Sequence, residues 1–181
     1  MDKSITFKYV LAVLGAVLFT WLVHEFAHWL TSELYGYETI MRLNGTSTVE
    51  GENPTDIQEN VISAAGPIIT VLQAILAFLL LKAKGWNKYL YPVLFIAFYM
   101  RLLAGLVNIV NPNDEGRISE FLGIGTFTLS IIVSAFLFFL VYKISKMYKL
   151  SWKFQLATTL LVMMFTTMVI LGDQIFELQL I

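Results

Sequence analysis

The chain has 181 residues, 57% of them hydrophobic and only 14% charged, with a net charge of −1 and a mean hydropathy of +0.73. A soluble domain carries about 25% charged residues, and a fold this small could not cover its wet surface with 12 basic and 13 acidic side chains. The near-neutral charge gives no footing for nucleic acid. The lack of cysteine excludes disulfides, thiolate zinc sites, iron–sulfur clusters and a cysteine nucleophile.

Crossing about 30 Å of hydrocarbon takes ~20 predominantly apolar residues. Five runs meet that length: Phe7–Leu30, Val61–Leu81, Leu90–Ile109, Phe121–Tyr142 and Phe154–Gly172. Trp29, Tyr35, Trp86, Tyr148 and Trp152 stand at or just past their ends, as an interfacial aromatic belt requires. The first run is not a cleavable signal, because His24–His28 follows its apolar stretch where a small-residue cleavage site would be needed. The expected fold is an all-α membrane protein of five transmembrane helices, forming one polytopic domain over residues 1–181. Its core lies at about 7–120, and two further spans fill 121–181.

Charge sorts the connections. Every lysine of the chain falls in the N-terminal segment, the 82–89 loop or the 143–153 loop, against the single acid Asp2. The opposite side holds Arg42, Arg117 and nearly all the acids. By the positive-inside rule the N-terminus is cytoplasmic in a multi-pass cell-membrane protein, and the C-terminus is outside. Between the first two spans, Thr39–Val49 reads as a short extramembrane β-hairpin. Asn44-Gly45 is expected to supply the two positive-φ positions of a type I′ turn.

The chemistry gathers at the end of the first span, in Trp21-Leu-Val-His24-Glu25-Phe-Ala-His28. On a helix His24 and His28 are ~40° apart in azimuth, so both imidazoles aim at a common point, with Glu25 on the same side. H-E-x-x-H is the arrangement of zinc hydrolases, with two nitrogen ligands and a carboxylate base. Both histidines of the chain lie in this one motif. A catalytic zinc wants three protein ligands and an open position. With no further histidine and no cysteine, the third must be Asp or Glu. Glu33 lies too near in sequence, on the wrong face of the same helix. The best candidate is Asp114, in Asn108-Ile-Val-Asn111-Pro112-Asn113-Asp114-Glu115-Gly116-Arg117, where Pro112 halts the third span; Glu115 is its rival. His24–His28 lies ~24–30 Å along the helix from Lys8, hence nearer the extracytoplasmic side, where Asp114 also emerges.

His24-Glu25-Phe26-Ala27-His28, Ser63-Ala64-Ala65-Gly66-Pro67 and the Asn111–Arg117 stretch, in this order over about residues 20–120, resemble the site-2 protease family of intramembrane zinc metalloproteases. The resemblance implies one zinc per chain bound by His24, His28 and Asp114, with Glu25 as general base. It also implies a polar hairpin after the first core span and cleavage of membrane-spanning or membrane-associated peptides. Here Asp114 is followed by Glu115 before Gly116, where the family's pattern has Asp-Gly, and the lysines place the zinc nearer the outside than is common in the family. The expected partners are the lipid bilayer and a membrane peptide or protein substrate; oligomeric state is not legible. Two alternatives use the same residues: a non-catalytic metal-binding membrane protein or transporter subunit, and a zinc-dependent hydrolase of lipid amides.

Other polar groups within the spans stay open. Arg101 either pairs with a carboxylate, Glu25 or Asp173, or stabilises a developing oxyanion, or snorkels outward. Gly66-Pro67 kinks the second span or serves helix packing. Asn108 and Asn111 hold the substrate or the ligand loop, or end the helix.

Overall fold

The computed structural model describes residues 2–176 and 178–181. Among these, the elements run α1 (Phe7–Leu34), β1 (Thr39–Arg42), β2 (Gly45–Thr48), α2 (Asp56–Lys84), α3 (Tyr91–Val107), α4 (Asp114–Phe121), α5 (Thr128–Met147) and α6 (Trp152–Phe176). α1, α2, α5 and α6 are long and apolar enough to cross a membrane; α3, at 17 residues, is a shorter apolar helix of about 25 Å. The chain is thus mostly helical, with a two-stranded antiparallel hairpin after the first helix.

Local signals set the ends of these helices. The Thr6 hydroxyl accepts from Tyr9 N to open α1. Thr55 and Gln58 form a reciprocal capping box on α2, which runs through Pro67 and stops at Gly85, at φ +89°. Pro92 stands in the first turn of α3, where a missing N–H costs nothing. Past α3 the chain turns at Pro112, and Asn113 caps a helix absent from the sequence reading, α4. Phe121, taken from the sequence as the start of the fourth span, ends α4 instead. Gly123 and Gly125, both at positive φ, separate that turn from α5, so the span begins at Thr128.

α1 packs against α2, α3 and α6, while α2 also contacts α3, α4 and α5. The outward faces carry Phe7, Leu11, Leu76, Ile131 and Phe138, a surface suited to lipid. Since lipid is as apolar as the core, close packing and buried polar bonds must bind such helices together. Tyr9 and Thr158 share a 2.7 Å hydrogen bond between α1 and α6, and Gln73 donates to Thr20 at 3.1 Å between α2 and α1. The lysine-bearing segments meet at one end of the bundle: Lys88 pairs with Asp2, and Lys3 donates to the Lys149 carbonyl.

The hairpin sits where the sequence places it, but its turn differs. Arg42 faces Gly45 in the register, so the two-residue loop is Leu43–Asn44, and neither Asn44 nor Gly45 adopts positive φ. Tertiary bonds override the Asn-Gly preference. Asn44 Oδ1 accepts from the Trp21 indole at 2.9 Å, and Leu43 N donates to buried Asp173 on α6 at 3.0 Å. Residues 178–181 lie along the other edge of β1, where Met41 N donates to Ile181 O and Leu180 N to Met41 O.

Candidate metal centre

His24 and His28 lie on the face of α1 turned toward α2, both buried. Their Nδ1 atoms are anchored by α2. His28 Nδ1 stands 2.7 Å from the Ile62 carbonyl, which only accepts, so this nitrogen carries the proton. His24 Nδ1 stands 3.0 Å from Thr70 Oγ1, and that hydroxyl spends its own hydrogen on the Gly66 carbonyl; His24 Nδ1 therefore donates as well. With Nδ1 protonated, a neutral ring presents its lone pair at Nε2, and the two Nε2 atoms are 3.1 Å apart.

Asp114, the first residue of α4, closes the triangle. Its Oδ2 is 3.3 Å from His24 Nε2 and 3.6 Å from His28 Nε2, while Oδ1 is held by Arg117 at 3.2 Å. Asn113 and Asn108 set this corner: Asn108 Oδ1 accepts from Asn113 N at 2.7 Å and its amide donates to Ser130 on α5. Asn108 thus supports the loop that carries Asp114. The buried group His24–His28–Asp114 is able to hold a metal ion. Its rival Glu115 points elsewhere, with Oε1 3.1 Å from Arg101.

Glu25 is buried beside this group and shares its cavity. The Thr46 hydroxyl, from β2, lies 3.1 Å from Glu25 Oε2 and fixes the carboxylate. The cavity, of about 690 Å³, is floored by Trp21 and the histidines and walled by β2, by Ser63 of α2, by Arg101 of α3 and by Gln174 of α6. Because Met41 turns its backbone groups to residues 180–181, the alternation of the ladder points those of Thr46 and Thr48 away from β1.

Arg101 is 2% exposed. A charge at the centre of a span costs ~2.5–3.5 kcal/mol on insertion scales and must be compensated. The partners considered from sequence, Glu25 and Asp173, are not the ones found. Asp173 is committed to Leu43 N, and Arg101 Nη1 instead meets Glu115 Oε1 at 3.1 Å and Asp114 Oδ2 at 3.3 Å, with Nη2 3.4 Å from His24 Nε2.

The sequence reading missed Thr70, the Ile62 carbonyl and Thr46, and gave Gly66 a different part. A Cβ on Gly66 would fall 2.7 Å from His24 Nδ1 and closer still to His28 Nε2 and His24 Cε1. The glycine is there so that α2 can come within touching distance of both imidazoles. Glycine at the centre of an apolar helix, followed four residues on by threonine, was the available signal.

No family model, curated protein or solved structure matches this chain.

Proposed function

We propose that this protein is an intramembrane zinc metalloprotease that hydrolyses peptide bonds of membrane-spanning or membrane-associated substrates. The observation carrying the proposal is the convergence of two Nε2 lone pairs and one carboxylate oxygen beside a buried glutamate in a single cavity. Ligands ~2.0–2.1 Å from a tetrahedral zinc lie ~3.3–3.4 Å from one another; the three separations here are 3.1, 3.3 and 3.6 Å. Two imidazoles disfavour calcium and magnesium, which take oxygen ligands. Charge agrees. Glu25, Asp114 and Glu115, counted as carboxylates, against the guanidinium of Arg101 and that of Arg117, which pairs with Asp114, leave a net negative charge that favours a cation.

Zinc, when bound, polarises a carbonyl and lowers the pKa of a water toward ~7. Glu25 then takes the proton of the attacking water and delivers it to the leaving nitrogen, with Thr46 holding the carboxylate in line. A helical substrate must unwind first, because its carbonyls are hidden in hydrogen bonds. The Thr46 and Thr48 edge of β2 offers the unwound segment backbone pairing beside the base. The protein would lie in a cell membrane with its N-terminus cytoplasmic and this centre nearer the extracytoplasmic face, which the lysine distribution supports.

Zinc analysis of the purified protein, with hydrolysis of a transmembrane peptide, tests the proposal. Wild type is expected to hold near one zinc, His24→Ala and Asp114→Ala to lose it, and Glu115→Ala to keep it. Glu25→Gln should retain metal while turnover falls ~10²–10⁴-fold. A wild type that cleaves fully after zinc is stripped would refute the proposal.

A further inference from the structure

Arg101 has more donors than its ion pairs use. Its guanidinium reaches Glu115, Asp114 and His24 through Nη1 and Nη2 only, and among the described residues Nε is buried with no hydrogen-bond partner. Glu115 is 2% exposed and likewise leaves Oε2 without a partner. Arginine–carboxylate pairs are frequently two-bonded forks, which satisfy both groups. Here a single nitrogen, Nη1, is shared between two carboxylates, and the residue lines the cavity that holds Glu25 and the His–His–Asp group. The arrangement leaves a fixed cation with unspent N–H capacity at the wall of that cavity.

We infer that Arg101 is a catalytic residue that binds the carbonyl oxygen of the peptide as negative charge develops on it, and that Glu115 is the positioning residue that aims it. The assignment rests on the proposed hydrolase reading. As the water oxygen bonds to the carbonyl carbon, the carbonyl π pair moves onto its oxygen, where an Arg101 N–H donates to it. The water proton goes to Glu25. When the carbon–nitrogen bond breaks, that pair returns to restore the C=O, and the leaving nitrogen keeps the bond's electrons and takes the proton from Glu25. A preorganised donor in a dry site acts more strongly on the developing oxyanion than on the neutral carbonyl, so its effect falls on kcat rather than on KM.

The test compares Arg101→Gln, Arg101→Lys and Glu115→Gln with wild type in three measurements: zinc content, kcat and KM on a transmembrane peptide, and calorimetric affinity for a phosphinic pseudopeptide whose P–O⁻ imitates the oxyanion. Arg101→Gln is expected to keep its zinc, lose ~10²–10³-fold in kcat with KM within a few-fold, and bind the phosphinate weaker by a similar factor. Arg101→Lys, which keeps the charge without the fork, should recover part of both losses, and Glu115→Gln should lose less than Arg101→Gln. Two results overturn the assignment alone: an Arg101→Gln protein with near wild-type kcat, or one whose zinc content falls in step with its activity, making the arginine a support for Asp114. A zinc-loaded wild type that neither hydrolyses peptide nor binds phosphinate overturns the protease reading and this assignment with it.

Discussion

Gly66→Ala separates the demands of the helix from those of the site. Alanine in place of glycine inside a helix is worth about 0.5–1 kcal/mol in its favour, so propensity alone expects a more stable protein. The structure expects damage. The added methyl would lie 2.7 Å from His24 Nδ1 and closer still to Cε1 of the same ring and to His28 Nε2, whereas non-bonded heavy atoms rest at about 3.5–4.0 Å, so both rings must withdraw by more than ~0.8 Å. Metal sites tolerate about ±0.2 Å in ligand distance. Neither imidazole is free to retreat, because Thr70 and the Ile62 carbonyl pin them at 3.0 and 2.7 Å. Losing one such outer partner costs 10–100-fold in affinity, and here both ligands move; at least a 100-fold loss, about 2.7 kcal/mol, is expected. The assay is a competition titration of zinc against a chromophoric chelator, with circular dichroism to show that helicity is retained. Gly15→Ala is the control, since a Cβ there meets nothing within 4 Å; it should leave zinc affinity unchanged. A helical Gly66→Ala protein that binds zinc like wild type would refute the reasoning.

Thr70→Val removes the acceptor that fixes the His24 tautomer and should weaken zinc binding ~10–100-fold in the same titration, with the fold intact. Thr48→Pro deletes one outward N–H from the β2 edge and should slow cleavage of a transmembrane peptide while zinc content stays at the wild-type level; unchanged turnover would remove the edge-pairing step. Single cysteines at exposed Lys84 and Asn53, in a chain with no native thiol, should react from opposite sides of intact cells, Asn53→Cys from outside. Labelling of Lys84→Cys from outside would invert the orientation.

Much of this molecule was legible from its residues, for a physical reason. Apolar run length fixes where helices can stand in a bilayer, and i, i+4 spacing fixes the convergence of His24 and His28 whatever surrounds them. Asp114 was reachable as the best candidate, because few other side chains could supply a third ligand and Pro112 bars any continuation of the third span into that stretch. Other features escaped. α4 is only eight residues long and polar, so hydropathy does not register it. The hairpin turn obeys Trp21 and Asp173, which lie 23 and 130 residues from the groups they bind, and no local propensity encodes such partners.

Arg101 shows where the limit falls. The cost of burying a guanidinium calls for an acid nearby once Arg101 faces inward rather than snorkelling out, but Glu25 and Asp173 were as suitable by type as Glu115. Only the turn at Asn111–Asn113, which places consecutive carboxylates differently, decides among them. It sets Asp114 between the histidines and the arginine, and Glu115 against the arginine. Sequence therefore specifies the ligands one helix contributes, while the cradle that makes them a site comes from its neighbours. α2 supplies Ile62, Gly66 and Thr70 on three successive turns, each touching an imidazole from a different direction. A chain that kept His24, Glu25 and His28 but lost that face of α2 would keep the motif and lose the geometry able to hold a metal ion.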